Sequence, residues 1–167
     1  MSKVIFKDEP KVIFKDKPFV IRNLLLSGYI YEQWENFYLL PEKSVKNPTL
    51  LSRNPVLTIE KHFRELSQPI QIDYSDWETG EYINYKDVFF RYYISKEEIT
   101  WEDAENQRIK QICGTLETEQ KFEGYSEYTI TYYWTNLFIG GRDIRKILRR
   151  HKGKYILMKI DYKAYQV

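Results

Sequence analysis

The chain of 167 residues carries 26 basic and 24 acidic side chains, which gives a formal net charge of +2 at pH 7, and 43% of it is hydrophobic. This composition excludes intrinsic disorder, and it excludes a wholesale imitation of DNA, which needs a strongly negative chain. The single cysteine, Cys113, excludes a disulfide framework and a thiolate zinc site. With no signal peptide and no apolar run of about 18 residues, the sequence predicts a soluble cytoplasmic protein without a membrane partner.

Residues 1–18 contain a duplicated segment. Lys3–Pro10 reads KVIFKDEP and Lys11–Pro18 reads KVIFKDKP. Alternation of valine and phenylalanine with polar side chains predicts one short strand in each copy, closed by a proline turn. We expect the first copy to be dispensable, because chain termini tolerate such changes. Residues 19–167 are predicted to form a single domain.

The first half of that domain is predicted to begin with strands. Phe19–Leu40 is apolar and aromatic, and the break at Ser27–Gly28 predicts two strands joined by a turn. Glu42–Pro55 is predicted to be a loop, followed by a helix that Thr58 caps and that ends near Ser67. Alternating apolar residues then predict a hairpin whose strands are Ile70–Tyr74 and Tyr82–Ile94.

The second half repeats this mixture. Thr100 is the predicted cap of a short helix, and the period of two beyond Arg108 predicts a further pair of strands with a turn at Glu123–Gly124. Asp143 is predicted to cap a helix that Gly153 terminates. The inward faces are assigned as follows: Ile112, Gly114, Leu116 and Phe122; Ile130, Tyr132, Trp134 and Phe138; Ile144, Ile147 and Leu148; and, in a closing strand, Ile156, Met158, Ile160 and Tyr162.

Many hairpin strands with few helices predict an α+β fold. We expect an antiparallel, twisted sheet with two or three short helices packed on one face. The aromatic residues at alternating positions are interpreted as core rather than as stacking platforms for bases.

Charge is segregated along the sequence. Residues 142–154 contain seven basic side chains and one acidic side chain, whereas residues 73–105 contain ten acidic and three basic ones. Helical spacing places Arg145, Lys146, Arg149 and Arg150 opposite the apolar face, so we expect these four cations to point outward. The predicted site for nucleic acid or a partner is Arg142, Arg145, Arg149, Arg150 and Lys152. The alternative is that these cations are solvated or pair with the acidic region of the same fold.

Catalytic candidates are few. His62 and His151 lie in different elements, and Cys113 is interpreted as a quiet buried thiol. Glu119 and Lys121, with Asp73 as a lone acid, fit the acid and acid-x-Lys pattern of PD-(D/E)xK nucleases, which hold Mg²⁺ between carboxylates. That nuclease is an alternative interpretation; the preferred one has no catalytic residue, metal or cofactor.

Three short motifs carry a resemblance. Tyr125–Thr129 reads YSEYT, Gly140–Asp143 reads GGRD, and Gly153–Tyr155 reads GKY. This segment resembles that of small uncharacterised phage and mobile-element proteins, and the resemblance implies a context without implying a chemistry.

In that context we expect a non-enzymatic binding protein that engages or inhibits a host nucleic-acid (defence) machine through its basic helix. The expected partner is a host protein or ribonucleoprotein complex, with nucleic acid as a further candidate. Besides the nuclease, the remaining alternative is a structural subunit that assembles by edge-strand pairing.

Overall fold

β10 (Tyr155–Gln166) is the central strand of the larger sheet, and its sequence explains why. Apolar side chains occupy both of its faces: Ile156 and Met158 are buried on one, and Tyr155 and Leu157 on the other. A strand that is apolar on both sides is stable only when both sides are covered. The computed structural model that provides this description covers residues 2–6, 19–45, 47–66, 81–83, 88–123 and 132–166.

The larger sheet is antiparallel, and its strand order is β3-β2-β10-β5-β6. The flanking strands are β2 (Phe19–Gln33), β3 (Asn36–Leu40), β5 (Val88–Ser95) and β6 (Lys110–Gly114). A short strand, β4 (Glu81–Ile83), pairs with the end of β10.

A second antiparallel sheet has the order β1-β7-β8-β9. Its strands are β1 (Ser2–Phe6), β7 (Leu116–Glu123), β8 (Tyr132–Ile139) and β9 (Arg142–Asp143). β1 pairs with β7, which confirms the strand predicted in the first repeat copy. The second copy lies outside the described residues.

The helices lie on both faces of the larger sheet. α1 (Pro55–Leu66) and α3 (Ile144–Arg150) contribute Ile59, Phe63, Ile144 and Leu148 to the main core, which also contains the inner faces of both sheets. α2 (Trp101–Glu105) packs Ala104 into a separate cluster on the opposite, outer face, with Tyr29, Leu40, Tyr155 and Leu157. The α+β class is therefore confirmed, and the expectation that all helices share one face is wrong for α2.

The turn within Phe19–Leu40 lies later than predicted. β2 continues through Gly28, where a Cβ atom would lie 2.8 Å from the Leu39 Cβ atom and 2.9 Å from the Leu40 carbonyl oxygen. Gly28 is therefore needed for the close approach of β3 rather than for a turn. The chain reverses instead at Trp34 and Glu35, which have φ angles of 53° and 63°. Two-residue hairpin turns favour glycine or asparagine at such angles. Because tryptophan and glutamate occupy these positions, the sequence gives no signal for this turn.

Helix caps were predicted with mixed success. α1 begins at Pro55 rather than after Thr58, because the Asn54 Oδ1 atom accepts from the Leu57 amide at 3.1 Å. Thr100 caps α2 as predicted, accepting from the Asp103 amide. Gly153 is left-handed with a φ of 83° after α3, also as predicted.

The buried face of β8 is the opposite of the predicted one. Thr135, Leu137 and Ile139 are buried, whereas Phe138 is only half-buried. Both faces of this strand carry large apolar groups, so alternation alone does not show which face is buried. The partner strand decides this through the pairing of Leu116 with Ile139. The predicted strand at Ile70–Tyr74 lies outside the described residues, as does Gly124 of the predicted Glu123–Gly124 turn, whereas Glu123 is the last residue of β7.

Candidate functional site

The position of α3 is fixed by its cap and its apolar face. The Asp143 carboxylate accepts from the Arg145 amide at 2.9 Å and from the Lys146 amide at 3.4 Å. Ile144, Ile147 and Leu148 are buried, so the predicted inward face is confirmed. Because one stripe faces the core, the remaining side chains divide between the two flanks of the helix.

On one flank, a groove of about 610 Å³ separates α3 from the start of β6. Five basic residues line it, all of them exposed: Arg108, Lys110, Arg142, Lys146 and Arg150. Across the described part of the chain, none of the five forms a salt bridge. The acidic residue in the lining is Asp143, whose carboxylate is already engaged at the helix cap. We call this the cationic groove.

Two glycines bring the walls of the cationic groove together. A Cβ atom on Gly114, at the end of β6, would lie 2.8 Å from the Gly140 Cα atom. Gly140 is left-handed at φ 56°, and a Cβ atom there would collide with the Cys113 carbonyl oxygen. The backbone of β6 thus packs directly on the β8–β9 corner from which α3 begins, which only glycines permit.

Tyr92 lies at the base of the cationic groove and is only 6% exposed. Burial raises the pKa of its hydroxyl above the usual value of 10.0, and the positive charges of Arg142 and Arg150 oppose this in part. The phenol is therefore protonated at neutral pH. It can donate a hydrogen bond to an anion held between those two guanidinium groups.

The other flank of α3 uses its cations within the protein. Arg145 is only 8% exposed, donates to Asn136 Oδ1 at 2.9 Å and to the Glu35 carbonyl oxygen, and lies 5.7 Å from the centre of the Phe37 ring. Burial and the neighbouring Arg149 charge lower its pKa below the usual value. The prediction that Arg145 points outward is wrong, because the guanidinium group stabilises the β2–β3 turn.

Glu32 forms salt bridges with two further cations, Arg149 and Lys152. Its carboxylate accepts from Arg149 at 3.1 Å and from Lys152 at 3.3 Å. Burial alone would raise the pKa of Glu32, but hydrogen bonds and charge from the two cations lower it below the usual 4.5. Internal pairing was the alternative for these residues, and it occurs with an acid of β2 rather than with residues 73–105.

The two histidines lie in different parts of the fold, His62 in α1 and His151 at the end of α3. His62 Nε2 lies 2.6 Å from the Tyr162 hydroxyl, and their rings meet edge to face at 5.5 Å. His151 follows α3, and burial together with Lys154, Lys110 and Arg150 lowers its pKa below 6.5. It is thus mostly neutral at pH 7, because burial and the nearby positive charges both disfavour its charged form.

The other catalytic candidates are Cys113, Glu119, Lys121 and Asp73, and the structure describes the first three. Cys113 is exposed, so its interpretation as a buried thiol is wrong; the Gln111 amide donates to its Sγ atom at 3.1 Å. Glu119 and Lys121 lie in β7, and Asp73 lies outside the described residues. No group of three or more metal-binding side chains occurs within the described ranges.

Comparison of the chain with protein-family models, with curated proteins and with solved structures gives no match. Of the helices that the structure describes, none has the length and apolar character needed to cross a membrane.

The predicted site is therefore divided by the fold. Arg142 and Arg150 line the cationic groove, Arg145 is buried, and Arg149 and Lys152 bind Glu32. The prediction omitted Tyr92, Arg108, Lys110 and Lys146. Helical spacing had already placed Lys146 outward, but the opposite wall reaches α3 only through tertiary packing.

Proposed function

We propose that this protein is a non-enzymatic binding protein whose cationic groove holds a nucleic-acid strand by its phosphates. The observation that supports this most is the set of five exposed basic residues facing one another across a single groove, none of them paired with a described acid. Lysine and arginine contacts to phosphates supply most of the affinity of sequence-independent nucleic-acid binding.

The spacing along α3 suits a regular chain of negative charges. Lys146 and Arg150 lie four residues apart in α3, and Arg142 precedes the helix in β9. Four residues of helix rise about 6 Å. This interval is close to the separation of successive phosphates along a nucleic-acid strand, so two neighbouring phosphates can each meet one cation of α3, and Arg142 extends the positive surface beyond the start of the helix.

The chemistry of the opposite wall favours the same ligand. Arg108 and Lys110 line the far side, and Tyr92, which also lines the groove, offers a hydroxyl that can donate to a phosphate oxygen. Charge-assisted hydrogen bonds from guanidinium groups to phosphate oxygens are among the strongest polar contacts in proteins. An acidic protein surface is the competing ligand, and the experiment below distinguishes the two.

The biological context of this proposal rests on the resemblance of the C-terminal segment to phage and mobile-element proteins. In that context the bound strand belongs to a host nucleic-acid machine, which the protein engages or inhibits. Binding, rather than turnover, is then sufficient for its effect.

The test is fluorescence anisotropy with a labelled oligonucleotide and two double variants of equal charge change. Lys146→Ala with Arg150→Ala removes two cations from the cationic groove, and Arg149→Ala with Lys152→Ala removes two from the Glu32 side. We expect the groove variant to bind at least about tenfold more weakly and the control variant to bind nearly as well as the wild type. The slope of log K against log salt should fall by about 0.7 for each lost single-strand phosphate contact.

Equal losses in the two double variants would contradict the assignment to the cationic groove. Absence of oligonucleotide binding by the wild-type protein, with retained binding of an acidic polypeptide such as polyglutamate, would replace nucleic acid by an acidic protein partner.

A further inference from the structure

Within the part of the chain that the structure describes, the outer face of the larger sheet is covered only in part. α2 packs over the end that contains Tyr155 and Leu157. Beyond this cluster, three large apolar side chains are exposed: Phe89 at 43%, Leu25 at 51% and Ile21 at 60%. The Phe89 ring therefore presents a planar apolar surface to water on this face.

Strand register shows what surrounds Phe89. It lies opposite Asp161 in β10 and opposite Cys113 in β6. Lys159 and Lys163 flank Asp161 along β10 on the same face. Arg91, two residues from Phe89, forms a salt bridge of 2.7 Å with Asp161 and so neutralises the carboxylate. The charged groups around the exposed ring are therefore the Arg91–Asp161 ion pair and the two lysines of β10.

This face meets the cationic groove at β6. Gln111 lines the groove and also lies opposite Arg91 on the outer face. Phe89 precedes Tyr92 by three residues in β5, a distance of about 10 Å along a strand. A flexible chain that leaves the groove can reach Phe89 around the edge of β6 within a few nucleotides.

We propose that the nucleic acid bound by this protein is single-stranded, and that Phe89 stacks one of its bases while the cationic groove holds the adjoining phosphates. The inference rests on the proposed function. Bases of a duplex are stacked inside it and cannot use an isolated exposed ring, whereas an unpaired base can. Aromatic rings combined with a positive groove are how proteins bind single strands without reading sequence.

The pattern of the face argues against a protein partner. The centres of protein–protein interfaces are depleted of charged side chains. Here Lys159 and Arg91 separate Leu25 from the β6 edge in one cross-strand row, and Asp161 lies beside Phe89 in the next. The apolar groups are thus scattered between charges instead of forming a continuous patch.

The experiment compares Phe89→Leu, which keeps apolar bulk but loses the aromatic ring, with Phe89→Trp, which keeps a stacking surface. Each variant is titrated against a single-stranded oligonucleotide of about 12 residues, within the range of known single-strand site sizes, and against the matching duplex. A 2-aminopurine base in the single strand reports stacking through quenching of its fluorescence.

We expect Phe89→Leu to weaken single-strand binding at least about fivefold and to abolish the quenching, with Phe89→Trp restoring both. Duplex binding should be weaker than single-strand binding and the same in all three proteins. Unchanged single-strand affinity in Phe89→Leu, or an equal loss for duplex, would overturn the inference.

The two proposals fail in distinguishable ways. If the Lys146 and Arg150 variant loses binding but Phe89→Leu does not, the cationic groove stands and the stacking role of Phe89 is wrong. If the wild-type protein binds neither oligonucleotide, both proposals are wrong.

Discussion

The basic side chains on the two flanks of α3, and those next to its two ends, are used in opposite ways. Arg142, Lys146 and Arg150 face the cationic groove without a described acidic partner. Arg145, Arg149 and Lys152, on the other flank, are bound to the protein itself through Asn136, the Glu35 carbonyl and Glu32. Charge alone therefore does not identify a binding surface.

What separates the flanks is the presence of acceptors that come from elsewhere in the chain. The β2–β3 hairpin presents Glu32 and the Glu35 carbonyl to one flank, whereas β6 presents Arg108 and Lys110 to the other. Interactions that are satisfied internally stabilise the fold, and cations that face like charges across a groove favour an anionic ligand. Substitutions on the two flanks should therefore differ in their effect on the free energy of unfolding.

The largest expected effect is that of Arg145→Ala. This substitution leaves the Asn136 side chain and the Glu35 carbonyl without their donor in a buried site, so the free energy of unfolding should fall by about 2 to 3 kcal/mol. Arg150→Ala, from the same helix, should change it by no more than about 0.5 kcal/mol. Urea denaturation measures both, and comparable losses would contradict the division between the flanks.

A smaller effect is expected for Glu32→Gln, and it should depend on pH. The folded pKa of Glu32 lies below 4.5, so its ionised form stabilises the fold above that pH, and this contribution is lost as the pH falls through the folded pKa. The variant should be less stable than the wild type by up to about 1 kcal/mol at pH 7. Thermal unfolding at a series of pH values should show the difference shrinking in acid; a constant difference would mean that ionisation of Glu32 does not contribute.

The smallest effect should have the opposite sign. Lys146→Ala with Arg150→Ala removes like charges that repel each other across the cationic groove, so the protein should become more stable by a few tenths of a kcal/mol, about 0.3. The increase should disappear in high salt, where exposed charges are screened. A loss of stability in this variant would indicate that these cations have structural partners.

Local features of the fold were predictable from the sequence. Thr100 and Asp143 cap their helices as expected, because a cap depends on residues three positions apart. The inward face of α3 and the inner face of β10 were also correct, since periodic apolar residues identify them.

Features set by distant residues were not predictable. The phase of β8 depends on its pairing with β7, and the Trp34–Glu35 turn lacks the residues that mark such turns. The position of the Arg145 side chain depends on that turn. Its acceptor, the Glu35 carbonyl oxygen, reaches this position only when the β2–β3 hairpin has formed. Arg149 and Lys152 likewise bind an acid from a distant strand, Glu32 of β2.

The central position of β10 has a consequence for how the protein forms during synthesis. Its longest pairing, from Tyr155 opposite Tyr29 to Tyr165 opposite Phe19, joins strands that leave the ribosome far apart in time. Until β10 emerges, β2 and β5 have no shared neighbour in the larger sheet, and their apolar faces stay open to other chains. Sheets closed by such distant pairings form slowly and are prone to aggregate beforehand. The apolar faces of β2 and β5 therefore stay open to association with other chains until β10 has been made.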